Sequence, residues 1–281
     1  MSDEAPTPLA SFEAKWSEAY PEFGLARRFD RGADAEAHAV FACIVFEIEH
    51  AAFGIREAQP SAIKLQWWAE ELTRAGKGEA RHPLTQALGV RIAGERVPAA
   101  RWHEAIMGAL AQRDPDLAAD GQVLLDQYAK LYAPFAKIES ELFGTSTKDV
   151  LGALTLRRAL RETASLTLAL RDGKLPLPLD LLARHRLSRG DLANASPERT
   201  AALDEWFGRV GAELRGAAAP RVRDCDRSVG VLRATMAAAD ARRTDIARRS
   251  PDPLGAMNAA LGALSIPVVW SAWRAARRSR R

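Results

Sequence analysis

Two cysteines stand in the 281 residues, Cys43 and Cys225. They cannot build a disulfide framework or a cysteine-based zinc site. Cys43 lies inside an apolar run, where a thiol behaves as a small buried hydrophobe. The five histidines (His38, His50, His82, His103, His185) are scattered without metal-ligand spacing. A G-x-S-x-G elbow, a Walker loop, a dinucleotide glycine fingerprint and an H-E-x-x-H helix are all missing, so nothing supports the hydrolase, nucleotide or metalloprotease chemistries they carry. No stretch alternates apolar and polar residues long enough for a half-buried strand. Nineteen glycines and fifteen prolines match background usage, with no internal repeat and no Ser- or Gly-rich linker between domains. The opening stretch Met1–Trp16 lacks the basic lead and apolar block of a secretory signal, which makes a cytoplasmic location the expectation. Charge of one sign is also short: 40 basic against 36 acidic side chains leave a formal +4. The arginines are not interleaved with aromatics and no recognised module appears, so nucleic acid is not an expected partner.

What is there is helix. Apolar residues make up 47% and charged residues 27%, an ordinary globular balance, and alanine, leucine, arginine and glutamate dominate nearly every segment. The pattern predicts a buried helix over Asp34–Phe53, apolar on all sides apart from Glu47 between Ala39 and Ile48. A second is predicted from Pro60 to Gly76, with Leu65, Trp68 and Leu72 inward and Lys64, Glu70, Glu71 and Arg74 toward water. Further helices are predicted through Leu88 and over Ala99–Gln112, Ala118–Leu142, Asp149–Arg171, Glu198–Ala217, Arg227–Arg249 and Pro253–Arg274. Pro176 and Pro178 keep Lys174–Asp180 extended before a short helix. These elements predict an all-α, single-domain bundle over residues 21–274, preceded by a polar segment, 1–20, and followed by a basic tail, 275–281.

Leu254 to Trp273 is twenty residues without a charge, followed by an arginine cluster, which superficially fits a tail anchor. However, Leu254, Met257, Leu261, Leu264 and Val268 recur at the 3–4 spacing of a helix packed on a core, and Pro267 interrupts a span. The better expectation is contact with a membrane surface, with Trp270, Trp273 and the C-terminal arginines at headgroup level.

A set of short strings occurs in a specific order: Lys64 to Leu72 (KLQWWAEEL), Arg81 to Leu88 (RHPLTQAL), Tyr128 to Gly144 (YAKLYAPFAKIESELFG), Leu166 to Asp172 (LTLALRD) and Gly173 to Leu182 (GKLPLPLDLL). In this order and spacing, over roughly residues 25–280, the chain resembles the squalene/phytoene synthase family. The resemblance implies an isoprenoid-synthase-type helical bundle around a central apolar cavity. Active members condense two prenyl diphosphates head to head. Departure of diphosphate needs its negative charge stabilised, a task for Mg²⁺ held by carboxylates and phosphate oxygens. The family resembles other isoprenoid synthases in placing two D-x-x-x-D motifs on facing helices, a spacing that sets both carboxylates on one face.

Here the chain departs from the pattern. Where the first motif should fall, Phe46 to Phe53 read FEIEHAAF. Glu47 and Glu49 are two residues apart, about 200° around the helix, so both cannot face one metal cluster. His50 does not restore the geometry. At the second motif Arg171-Asp172 survives but runs straight into Gly173-Lys174, without the partner aspartate. Ser165 and Leu168 stand where Gln and Asn are typical. A subgroup with the same losses includes bacterial relatives with a comparable L-Q-W-W helix and a mitochondrial relative that looks like an assembly factor for respiratory complex I; this sequence resembles that subgroup better than the active synthases.

Two expectations follow. The first is a catalytically impaired member that needs no cofactor and binds an isoprenoid or anionic lipid, or a protein partner in assembly of a membrane complex. It uses Glu47, Glu49, His50, Tyr128, Arg171, Asp172 and Lys174 for binding, with positive charge from Arg157, Arg161, Arg171 and Lys174 where diphosphate would sit. The second is an active Mg²⁺-dependent transferase whose missing acids are replaced from among Asp126, Glu139, Glu141 and Glu162.

Overall fold

The computed structural model describes residues 8–29, 34–92, 97–217 and 227–278. Cys225 and the last three residues lie outside these. The axis of the bundle is α3 (Ala35–Glu49), the third helix in the chain. Its Val40, Phe41, Cys43, Ile44 and Ile48 are wholly withdrawn from solvent, and burial pushes the Cys43 thiol up to about 12. Together with the turn that extends it to Gly54, this helix is long and apolar enough to cross a membrane, yet 78% of its apolar stretch is buried inside the protein, so its composition serves the core.

Around α3 and the turn that extends it pack α1 (Pro8–Ala19), α2 (Pro21–Phe29), α4 (Ala58–Gly76), α5 (Pro83–Ile92), α6 (Ala99–Ala111) and α7 (Gly121–Phe143). The rings of Phe41, Trp102, Phe135 and Phe143 meet at centroid distances of 5.9 to 6.5 Å and fill the space between α3, α6 and α7. Residues 1–20 were expected to stand apart as a polar segment. Instead, Leu9, Phe12, Trp16 and Tyr20 recur at 3–4 spacing and seat α1 on the core, with Trp16 and Tyr20 buried. The bundle therefore begins at the first described residue.

Caps set the middle elements. The Asp120 carboxylate accepts from the backbone N–H groups of Gln122 and Val123, opening α7, and Gly144 closes it at φ 69°. Ser146 caps α8 (Thr147–Ala164) by accepting from the Asp149 N–H. The helix predicted over Asp149–Arg171 is two: Ser165, at φ −86° and ψ 16°, separates α8 from α9 (Leu166–Arg171). After the proline segment come α10 (Leu179–Arg184), α11 (Pro197–Ala217), α12 (Arg227–Arg248), α13 (Pro253–Leu261) and α14 (Ile266–Arg278). The single last helix is likewise broken, with a 50° bend between α13 and α14. The helix of α14 also runs past residue 274 into the expected tail, and Ala275 and Ala276 are buried.

Glu71 was expected to face water and is fully buried. Its carboxylate accepts from the Arg81 and His82 backbone N–H groups, each at 2.8 Å, from Thr85 Oγ1, and from Arg74 Nη2 at 3.0 Å. It thus fastens the chain entering α5 onto α4, the two segments whose sequences KLQWWAEEL and RHPLTQAL stand out.

Candidate functional site

At its C-terminal end α3 widens into a π turn, His50–Gly54. Widened turns release carbonyls from the regular ladder, and here the Arg113 guanidinium collects them: it donates to Ala52 O at 3.1 Å, Ile55 O at 2.5 Å and Arg56 O at 2.7 Å. Ser61 Oγ donates to Ala51 O. Gly54 permits the turn, because a Cβ there would lie 2.3 Å from His50 Nδ1. The turn aims Glu49, His50, Phe53 and Arg56 at one space.

That space is a cavity of about 320 Å³, within the range of small-molecule sites. Trp16 and Tyr20 close it from the N-terminal helices, and Arg158, Glu162, Ser165, Leu168, Asp172 and Lys174 line the α8–α9 side. A smaller cavity of about 80 Å³ shares Phe53, Glu162, Asp172 and Lys174 with it and extends toward Asp114, Asp116 and Tyr128.

Each carboxylate of the larger cavity has a protein partner. Glu49 accepts from Tyr132 Oη at 2.7 Å and Tyr20 Oη at 3.4 Å; both phenols are raised, by burial first and then by the Glu49 charge. Glu162 pairs with Arg158 one helical turn away, and that guanidinium also lies 4.1 Å from the Phe53 ring centroid. Asp172 pairs with Arg56 at 2.6 Å across the mouth. Lys174 donates to the Gln112 carbonyl at 3.3 Å. Burial lowers its ammonium from the usual lysine range, and Glu162 and Asp172 oppose that shift in part. Burial together with Lys15 and Lys64 lowers His50.

The structure thus brings Glu49, His50, Asp172 and Lys174 together, with Tyr128 next door in the smaller cavity. Glu47 faces elsewhere, ion-paired to Lys15 and Lys64, as its two-residue offset from Glu49 requires. Arg171 is exposed and lines neither cavity. Arg157 and Arg161 neither coat a solvated face nor line the cavity; both turn to Glu22 and stack on Tyr20. Among the substitute acids only Glu162 reaches the cavity. Asp126 meets Gln122, Glu141 pairs with Arg101, and buried Glu139 pairs with Arg233, whose charge overcomes burial and brings its carboxyl down to about 2.

Sequence reasoning missed Tyr20, Arg56, Arg113, Tyr132 and Arg158. Tyr132 carried a signal, one turn beyond Tyr128 on the same face; Arg158 carried another, one turn before Glu162. Arg113 is brought in by tertiary structure alone, and Arg56 follows from the π turn that Arg113 holds.

The donor set does not fit a magnesium cluster. Among the described residues no three His, Cys, Asp or Glu side chains gather closely enough to hold a metal ion. The three cavity carboxylates are instead bonded to hydroxyls and guanidinium groups.

No protein-family model matches the sequence, and no curated protein matches it. Among solved structures the chain is similar to a dehydrosqualene synthase in complex with ligand, with a TM-score of 0.71 and 12% identity over 86% of each chain. It is also similar to squalene synthase HpnC from Alicyclobacillus acidocaldarius, with a TM-score of 0.62 and 16% identity over 86% of this chain and 97% of that one. The chain therefore has the squalene/phytoene-synthase-like isoprenoid synthase fold, as the order of its short strings implies.

Proposed function

We propose that this protein binds an isoprenoid or other lipid with an anionic head in the Glu49–Lys174 cavity, without metal, and does not condense prenyl diphosphates. One observation carries the reading: the three carboxylates that would gather divalent ions are each already engaged by protein side chains, Glu162 and Asp172 by guanidinium groups and Glu49 by two tyrosine hydroxyls. Removing a single charge-stabilising group from an active site lowers turnover about 10²–10³-fold, and the donor set here lacks a whole cluster. Lys174, whose ammonium is bonded to the Gln112 carbonyl, supplies positive charge in its place, while Trp16, Phe53 and Leu168 offer apolar surface to a chain. A protein of this kind serves a membrane complex by holding a lipid or by docking, the role suggested by its likeness to the non-catalytic subgroup.

The competing reading is Mg²⁺-dependent transfer, favoured by three carboxylates (Glu49, Glu162 and Asp172) lining one cavity. It requires all three to exchange their present partners for metal. Titration calorimetry with farnesyl diphosphate in EDTA, beside a diphosphate-release assay with Mg²⁺, separates the two. Saturable binding in EDTA, weakened by Lys174→Glu and without diphosphate release on adding Mg²⁺, supports the metal-free binder. Binding that needs Mg²⁺ and is followed by diphosphate release overturns it.

A further inference from the structure

Helix α14 has two apolar faces. At 3.6 residues per turn, Val268, Ala272, Ala275 and Ala276 fall on one side, and all four are buried. Val268 and Ala272 pack there against Leu25 of α2 and Ala239 of α12. The opposite side carries Ile266, Val269, Trp270 and Trp273. Ile266 is 86% exposed, Trp270 53% and Val269 39%, and Leu264, in the bend just before, is 40% exposed. The two indole rings stack at 4.6 Å. Core packing explains the first face; on the second, Ile266, Val269 and Trp270 stay exposed among the described residues and Trp273 is half-buried.

We propose that this outward face docks on an anionic lipid bilayer. Charge selects the occupant. From Pro253 to Arg281 the chain has no acidic residue and five arginines, two of which, Arg274 and Arg277, are exposed on α14 beside the tryptophans. The Arg277 guanidinium lies 4.3 Å from the centre of the Trp273 ring, so the apolar stripe passes directly into a cationic end. Apolar side chains entering the acyl boundary, indoles at the headgroups and arginines on lipid phosphates make up an interfacial helix. A protein surface would have to be both apolar and strongly acidic to match. The helix lies on the bilayer and does not cross it: α13 and α14 are bent by 50°, and Leu254 and Met257 of α13 are held in the core. This surface is separate from the ligand cavity, so either proposal stands if the other fails.

Flotation of the full chain with vesicles tests it, using phosphatidylcholine alone and phosphatidylcholine mixed equally with phosphatidylglycerol. The expected result is flotation with the mixed vesicles, weakened by salt, and a blue shift of tryptophan emission. The double variant Val269→Ser/Trp270→Ser alters exposed positions only and should lose flotation on both vesicle types. Arg274→Glu/Arg277→Glu should lose the preference for the anionic vesicles, by about fivefold or more per arginine. Wild-type protein that stays at the bottom with mixed vesicles overturns the proposal, as do variants that float unchanged. A wild-type dimer in solution that Val269→Ser/Trp270→Ser converts to monomer, without vesicle binding, assigns the face to a second copy and also overturns it.

Discussion

The Glu71 carboxylate illustrates how a buried charge is kept. Burial raises its proton affinity, while the His82 and Arg81 N–H groups, the Thr85 hydroxyl and the Arg74 guanidinium lower it further than burial raises it, so the group titrates below the ordinary glutamate value of 4.5. Because the folded state holds the proton more weakly than the unfolded chain, the stabilisation is complete above the unfolded value. It is lost as pH falls through the folded one. Glu71→Ala leaves buried donors unpaired and should reduce stability by about 3–5 kcal/mol in urea denaturation at neutral pH, and the difference from wild type should shrink toward acid. A pH-independent difference would place the energy in packing. Sequence alone put Glu71 in water because it lies beside Leu72 at the rim of the apolar stripe; its burial depends on Arg81–Thr85 folding back, which no local pattern records. Lys174 permits a second prediction. A cationic binder with a lowered ammonium loses its charge early, so affinity for an anionic lipid head should fall with rising pH, beginning below the ordinary lysine value of 10.5. Calorimetry across pH checks this, and a Lys174→Met variant should lack that limb.

At the scale of elements, what could be read in the sequence followed its punctuation. Gly76, Gly144 and Pro178 all fall where helices end or begin, and Gly144, at φ 69°, and Pro178 act there through their own backbones. The break at Ser165 and the π turn at His50–Gly54 carry no such mark. Ser165 is no helix breaker, and the π turn is held by Arg113, some sixty residues away in the chain. The turn at Gly262–Ser265 did contain a glycine, but the apolar spacing reads through it. One close approach between elements gives a sharp test. A Cβ on Gly108 of α6 would sit 2.3 Å from the Lys130 carbonyl oxygen of α7 and 2.8 Å from the Leu131 Cα, and backbone cannot swing aside as a side chain can. Gly108→Ala should therefore destabilise the chain by about 1–3 kcal/mol through overpacking, although alanine favours helix. Thermal melts should show a lower midpoint. An increase would mean that α6 and α7 separate readily and that propensity governs the site.

For the whole molecule, the strings KLQWWAEEL through GKLPLPLDLL were enough to specify the fold, and the loss of D-x-x-x-D was enough to question the chemistry. The ion pair across the cavity mouth was not legible, since Arg56 reaches Asp172 across 116 residues. Nor was the charge network that joins the ends of the chain. Three arginines, Arg157, Arg161 and Arg243, meet the carboxylates of Glu22 and Asp240 between α2, α8 and α12. Arg243 is 3% exposed at its side chain; it donates to Glu22 at 2.7 Å and Asp240 at 2.8 Å, and to the carbonyls of Ala260 at 3.1 Å and Leu261 at 3.0 Å. It thus closes α13 onto the bundle and fixes where α14 departs. Burial raises the Glu22 carboxyl, but Arg157 and Arg243 outweigh it and hold it far below the usual range, so this linkage survives mild acid and fails only as pH falls through that depressed value. Arg243→Met removes one partner of a buried set and the donor that reaches the Ala260 and Leu261 carbonyls, with an expected loss of about 3–5 kcal/mol. Arg243→Lys, which keeps the charge but not the planar fork, should recover only part of it. Hydrogen exchange locates the effect: α13 and α14 should lose protection before α3 does. Uniform loss across all helices would instead make the network a feature of global stability, with no special hold on the C-terminal pair.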